Sequence, residues 1–155
     1  METKTFLTKN ARETQKVAGE IVGSLLKKNR TKAAVLALEG ELGGGKTTFV
    51  QGLVDIFELK VPITSPTFVV MKRYEIGNPE ISKIFKNLYH ADCYRLEHSQ
   101  DLAALGFGEI IKNPENLIIV EWADKVREII PDDAAWIKFE WMGEEERKIE
   151  IKSII

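Results

Sequence analysis

Only one cysteine, Cys93, occurs in the 155 residues, so no intrachain disulfide can form and a bridge-stapled scaffold is excluded. The lone thiol fits a reducing cytoplasm, and it reads as a small buried strand residue rather than a nucleophile. No apolar run approaches the roughly 20 residues of a membrane span. The opening residues, with Glu2 and Lys4 and no apolar stretch behind them, do not read as a secretory signal. A cytoplasmic protein without membrane contact is the expectation. Neither sign of charge dominates: 22 Lys and Arg stand against 24 Asp and Glu, for a formal net charge of −2 and a pI near 5.8. This argues against a domain that grips nucleic acid through a broad basic surface, so a nucleic-acid role would be indirect. His90 and His98 are the only histidines. Without cysteine partners they do not suit a structural zinc site, and both are expected to be satisfied structural residues. Internal repeats and low-complexity linkers are missing too. With 44% hydrophobic residues, the chain suits one domain, spanning residues 1–155, with a substantial core.

Against these absences stands Gly40-Glu41-Leu42-Gly43-Gly44-Gly45-Lys46-Thr47-Thr48, a phosphate-binding loop of the pattern G-x-x-x-x-G-K-[ST]. Glycines at Gly40, Gly43, Gly44 and Gly45, with Leu42 between them, let backbone N–H groups turn inward on a triphosphate. The following helix aims its positive end at the same anion. Lys46 can reach the β- and γ-phosphates. The Thr47 hydroxyl is placed to ligate Mg²⁺, which takes few protein ligands and completes its shell with phosphate and water. Thr48 lies nearer the α-phosphate. Context supports the motif: Ala33-Ala34-Val35-Leu36-Ala37-Leu38 is a buried-strand run, and Phe49, Val50, Leu53, Val54 and Phe57 recur at helical spacing. Strand, glycine loop and helix follow one another as the chemistry requires.

Upstream, Asn10-Ala11-Arg12-Glu13 reads as a capping box, with Thr14, Val17, Ala18, Ile21, Val22 and Leu25 as the inner face of a helix ending near Lys28. The basic cluster at residues 27–32 reads first as a solvated helix C-terminus, and second as a contact for a partner or nucleic acid. Downstream, Ser65-Pro66-Thr67-Phe68 leads into a strand over 69–74. Thr67 is a candidate γ-phosphate sensor, as in switch loops, or simply a β-branched residue opening the strand. Residues 76–80 form a turn of a loose hairpin.

Two acids carry the next step. The strand predicted over 87–96 places His90, Asp92 and Tyr94 on one face. A half-buried carboxylate at Asp92 costs stability unless a cation or hydrogen bonds meet it, and a bound Mg²⁺ would. Ser99 can cap a short helix through Asp101, Leu102 and Leu105, ended by Gly106 or continued as residues 108–111. Leu117-Ile118-Ile119-Val120 is a second fully apolar strand with Glu121 at its carboxyl end. An acid in that place is the pattern of a metal-assisting carboxylate beside a phosphate loop. Residues 123–130 read as a helix stopped by Pro131, and the alternation over 136–142 and 147–152 reads as a C-terminal β-hairpin.

Phosphate loop, hydroxyl and two acids make a nucleoside triphosphate site built for hydrolysis or phosphoryl transfer. The guanine-reading Asn-Lys-x-Asp signature is absent, which disfavours a GTPase. A small-molecule kinase stays open, although Arg95 and Arg127 are isolated and no arginine-rich lid is evident. So does a nucleotide-dependent interaction module that scarcely turns over.

Taken together, the phosphate loop through Phe49, Ser65-Pro66-Thr67-Phe68, His90-Ala91-Asp92-Cys93-Tyr94-Arg95-Leu96 and Val120-Glu121-Trp122 resemble the TsaE-type P-loop ATPases of tRNA threonylcarbamoylation, in that family's order and spacing. The resemblance implies an α/β P-loop NTPase fold, a mixed, mostly parallel central sheet flanked by helices. It implies ATP with Mg²⁺, Thr47 and Glu121 at the metal, Asp92 in hydrolysis and Trp122 beside the nucleotide. It further implies weak ATPase activity and TsaB and TsaD as partners, with ATP turnover resetting the modifying complex, which acts on adenosine 37 of tRNAs reading ANN codons. Two departures stand out. Gly44 replaces a usual Ala, adding backbone freedom to the loop, and Ala123-Asp124 stands where members often carry Pro and then Glu or Gln.

Overall fold

The computed structural model describes residues 2–41, 45–63 and 70–153. Its centre is β2 (Ala34–Gly40), whose residues from Ala34 to Leu38 are all buried. An unbroken apolar run of this kind suits a strand covered on both faces. β2 pairs in parallel with β5 (Asn116–Glu121) on one side and β6 (Ala135–Trp141) on the other. Beyond β5 lies β4 (Asn87–Asp92), also parallel, and then β3 (Met71–Glu75), antiparallel. Beyond β6 come β7 (Arg147–Ser153) and β1 (Glu2–Thr8), both antiparallel. The single sheet therefore runs β1-β7-β6-β2-β5-β4-β3. It is mixed, with a parallel centre and antiparallel edges, and the expected C-terminal hairpin is β6 and β7.

Helices cover both faces. On one lie α1 (Ala11–Leu26) and α2 (Lys46–Phe57), packed over Leu36, Leu38, Leu88, Leu117, Ile119, Ile137 and Phe139. The buried residues of α1 are the six that its helical periodicity selects. Its start is fixed twice: the Asn10 side chain accepts the Glu13 N–H at 2.9 Å, and the Glu13 carboxylate accepts the Lys9 N–H at 3.0 Å, a reciprocal cap worth about 1 kcal/mol. The opposite face, with Val35, Ala37, Ala91, Cys93, Ile118 and Val120, is covered by α3 (Ser99–Ala103), α4 (Phe107–Ile111) and a 3₁₀ run, Ala123–Ile129.

The structure differs from the sequence reading at four places. β1 was not foreseen: it is an edge strand with only Thr8 buried, and its register comes from pairing with β7, seven residues in step. The segment after Trp122 is 3₁₀ rather than α and is broken by a kink at Val126, which leaves the helical region (φ −126°, ψ 30°); Ala123 and Val126, three apart, both reach the core. β4 stops at Asp92 instead of running to Leu96, and His98 rather than Ser99 takes the N-cap position of α3, with no side-chain cap bond. No helix among the described residues is long and apolar enough to cross a membrane.

Candidate functional site

Parallel pairing brings the carboxyl ends of β2, β5 and β4 to one edge of the sheet. Glu121 lies opposite both Leu38 and Asp92 in register, so the two acids foreseen from sequence end adjacent strands. β2 feeds the phosphate-loop segment at this same edge. Gly40 takes φ 137°, and a Cβ there would fall 2.4 Å from the Phe139 carbonyl oxygen of β6, so no other residue fits without backbone movement. Gly45 closes the segment at φ 104°, forming the N-cap of α2 with no side-chain cap bond. The first N–H groups of α2 therefore have no intrahelical acceptor, which is what an anion at a helix start uses. Leu42, Gly43, Gly44 and Thr67 lie outside the described residues.

Lys46, the first residue of α2, is 6% exposed. Its ammonium donates to the Gly40 carbonyl oxygen and sits 3.7 Å from the centroid of the Trp122 ring. Burial pulls the Lys46 pKa below its ordinary value, while Glu121, Asp124 and Asp92, in that order, oppose the shift. Thr47 is exposed and Thr48 half-buried, so the Thr47 hydroxyl is open to a ligand. Trp122 is held at φ 57°, ψ 40°, a conformation of about 1–3 kcal/mol cost for a bulky side chain. The strained turn swings its indole from the end of β5 over Lys46. Tyr94 packs against that indole at 4.9 Å between centroids, and Lys125 donates to the Tyr94 carbonyl oxygen.

Asp92 accepts the Tyr94 N–H at 3.0 Å, which ends the strand in a tight turn. Next to it, the Cys93 N–H donates to the Glu121 carbonyl oxygen at 3.0 Å. Cys93 is buried, and its thiol is pushed up to about 12 by burial first, then by Asp92 and Glu121. An unionised thiol is no nucleophile.

His90 corrects the sequence reading. The sequence reads it as a satisfied structural residue, yet its Nε2 lies 2.5 Å from Oε2 of Glu121 while its buried Nδ1 has no partner among the described residues. Arg127 is not isolated: it bonds Glu39 at 3.0 Å and lies 4.2 Å from the Trp136 ring centroid. Neither partnership has a sequence signal, since 31 and 88 residues separate the hydrogen-bonded residues. A shallow concavity of about 780 Å³ lies beside the loop, bordered by Gly40, Tyr94, Trp122, Asp124 and Arg127.

Among the described residues no group of three or more His, Cys, Asp and Glu could hold a metal by itself. The donor set at this edge is one hydroxyl and separate carboxylates, all hard oxygens. That fits a cation such as Mg²⁺, bound through one or two protein ligands and otherwise by phosphate and water.

Residues 8–149 match the family described as "Threonylcarbamoyl adenosine biosynthesis protein TsaE". The tRNA threonylcarbamoyladenosine biosynthesis protein TsaE of Bacillus subtilis is 36% identical over 121 residues, covering 77% of this chain and 70% of that protein. The protein of the same name from Rickettsia felis is 30% identical over 143 residues, covering 92% and 75%. The crystal structure of Bacillus subtilis YdiB aligns with a TM-score of 0.71 at 28% identity, covering 99% of this chain and 87% of that one. On the family match, which spans nearly the whole length, the chain belongs to the TsaE family.

Proposed function

We propose that this protein is a weak Mg²⁺-dependent ATPase, an accessory subunit for threonylcarbamoyl modification of adenosine 37 in tRNAs that read ANN codons. Its partners are TsaB and TsaD, and its turnover resets their complex between rounds. The observation that carries the reading is that Lys46, at the start of α2 after β2, feels the charges of Glu121 and Asp92, which end the adjacent parallel strands β5 and β4. The B. subtilis and R. felis relatives, both named for tRNA threonylcarbamoyladenosine biosynthesis, supply the pathway.

In this reading the N–H groups at the start of α2, with Gly40, Leu42, Gly43, Gly44, Gly45 and Thr48, cradle the phosphates of ATP. Lys46 leaves the Gly40 carbonyl oxygen for the β- and γ-phosphates. The Thr47 hydroxyl and the Glu121 carboxylate hold Mg²⁺, which when bound neutralises charge on the phosphates. Asp92 orients the attacking water, Thr67 senses the γ-phosphate, and Trp122 flanks the nucleotide. Once Lys46 has turned to the phosphates, transition-state charge is met by groups held in position by the bound nucleotide, the largest catalytic contribution for this chemistry. Contact with tRNA comes through the complex.

The test is Mg²⁺-dependent ATP hydrolysis by the purified protein, alone and with TsaB, TsaD and tRNA. A low basal rate raised by the partners is expected. Glu121→Ala should reduce it by about 100-fold or more, and Lys46→Ala should abolish tight ATP binding. Turnover indifferent to Glu121→Ala, with Mg²⁺ dependence intact, overturns the assignment of the site.

A further inference from the structure

His90 is buried, 4% exposed, on β4 two residues before Asp92. Its Cα partner on β5 is Ile119, and Leu88, two residues earlier on the same strand, belongs to the apolar cluster under α1 and α2. An apolar side chain would pack among these neighbours without difficulty. The imidazole instead leaves Nδ1 buried and, among the described residues, unpartnered, a condition that costs about 1–3 kcal/mol. Packing therefore does not account for a histidine here, and the contact made by its other nitrogen does.

That contact is with Oε2 of Glu121, at 2.5 Å, on a carboxylate whose side chain is only 14% exposed. A glutamate at a strand end has three rotatable bonds and two equivalent oxygens. Fixing one oxygen by a hydrogen bond fixes the direction of the other. We propose that His90 is a positioning residue: by holding Oε2 of Glu121 it presents the remaining oxygen toward Lys46 and Thr47, the place of a magnesium-bound triphosphate. The inference rests on Glu121 as the metal carboxylate and adds to it the group that orients it. Partners of this kind, behind a metal ligand, change affinity about 10- to 100-fold when removed.

The experiment measures Kd for a fluorescent ATP analogue with saturating Mg²⁺ and again in EDTA. It compares the full-length wild type with His90→Leu, His90→Asn and His90→Gln, and a thermal melt without nucleotide is recorded for each. The Gln amide nitrogen reaches the position of Nε2, whereas the Asn amide stops short at that of Nδ1. His90→Leu and His90→Asn should lose about 10- to 100-fold of the Mg²⁺ enhancement while keeping the EDTA affinity, and His90→Gln should keep the enhancement to within about threefold. A purely structural role would move the melts without separating Gln from Asn. Should the Leu variant not fold, the two polar variants still decide. Unchanged enhancement in His90→Asn, or a loss in His90→Gln as large as in His90→Asn, overturns the role of His90 alone. A wild type that shows no Mg²⁺ enhancement overturns the reading of the site itself, and His90's role with it.

Discussion

The inner strands β2, β5 and β4 and the outer strands β6, β7 and β1 belong to one sheet but are built on different rules. The inner strands are parallel and largely apolar. Leu36, Leu38, Ile118, Ile119 and Val120 are wholly buried, because helices cover both faces. The outer strands pair antiparallel with one another, β6 alone running parallel to its inner neighbour β2, with Ile137, Phe139, Ile149 and Ile151 on the core face and Lys138, Glu140, Lys148 and Glu150 forming ion pairs on the other. All the acids around Lys46 belong to β4, β5 and the turn after β5. Parallel strands deliver several carboxyl ends to one edge, and an antiparallel hairpin cannot. The outer strands support the site without supplying an acid to it: β6 pairs with β2 up to Phe139 opposite Gly40, and Arg147 of β7 lies beside Gly45.

The strongest way to break this division is at its seam. Gly40→Ala puts a methyl group 2.4 Å from the Phe139 carbonyl oxygen at φ 137°, so strain and collision act together. A loss of about 4 kcal/mol or more in chemical denaturation is expected, along with loss of nucleotide binding, since β2 and the phosphate loop must shift together. Next in size, Ile119→Ala removes a wholly buried side chain from the inner strands, at about 2–5 kcal/mol. It should lower stability throughout and weaken nucleotide affinity only secondarily. An Ile119→Ala variant as stable as the wild type would show that the parallel centre is not the principal core.

The inner half was the legible half. The strand and helix that flank the phosphate-loop motif, the apolar run into Glu121 and the inner face of α1 are local patterns, set by spacing along a few turns or one strand, and the structure repeats them. What escaped is non-local. β1 has little burial of its own and exists through its pairing with β7. The His90 contact with Glu121 depends on the β4–β5 register, which no stretch of either strand encodes. Trp122 over Lys46 depends on a left-handed residue in a sequence that carries no glycine at that point. Arg127, isolated in sequence, is engaged only once β2 and β6 bring Glu39 and Trp136 beside it. The readings of Leu42, Gly43, Gly44 and Thr67 lie outside the described residues.

The smallest expected effect sharpens the same comparison from the outer side. Glu150 faces the charged side of β7, 4.0 Å from Lys148 and 3.8 Å from Lys152, with its side chain 27% exposed. Both lysines are solvated, so each contact gains little in water and is screened by salt. Glu150→Gln keeps the shape and removes the charge. The change in denaturation free energy should be about 0.5 kcal/mol or less and should vanish at high salt, with ATP hydrolysis unaltered. A loss of about 2 kcal/mol or more would mean that the pairs on this face act as one coupled network, so that the hairpin is held by its charges and not by Ile137, Phe139, Ile149 and Ile151 beneath it. Coupling of that kind would also make the support behind Gly40 and Gly45 depend on ionic strength, since Phe139 and Arg147 reach those glycines from the same two strands.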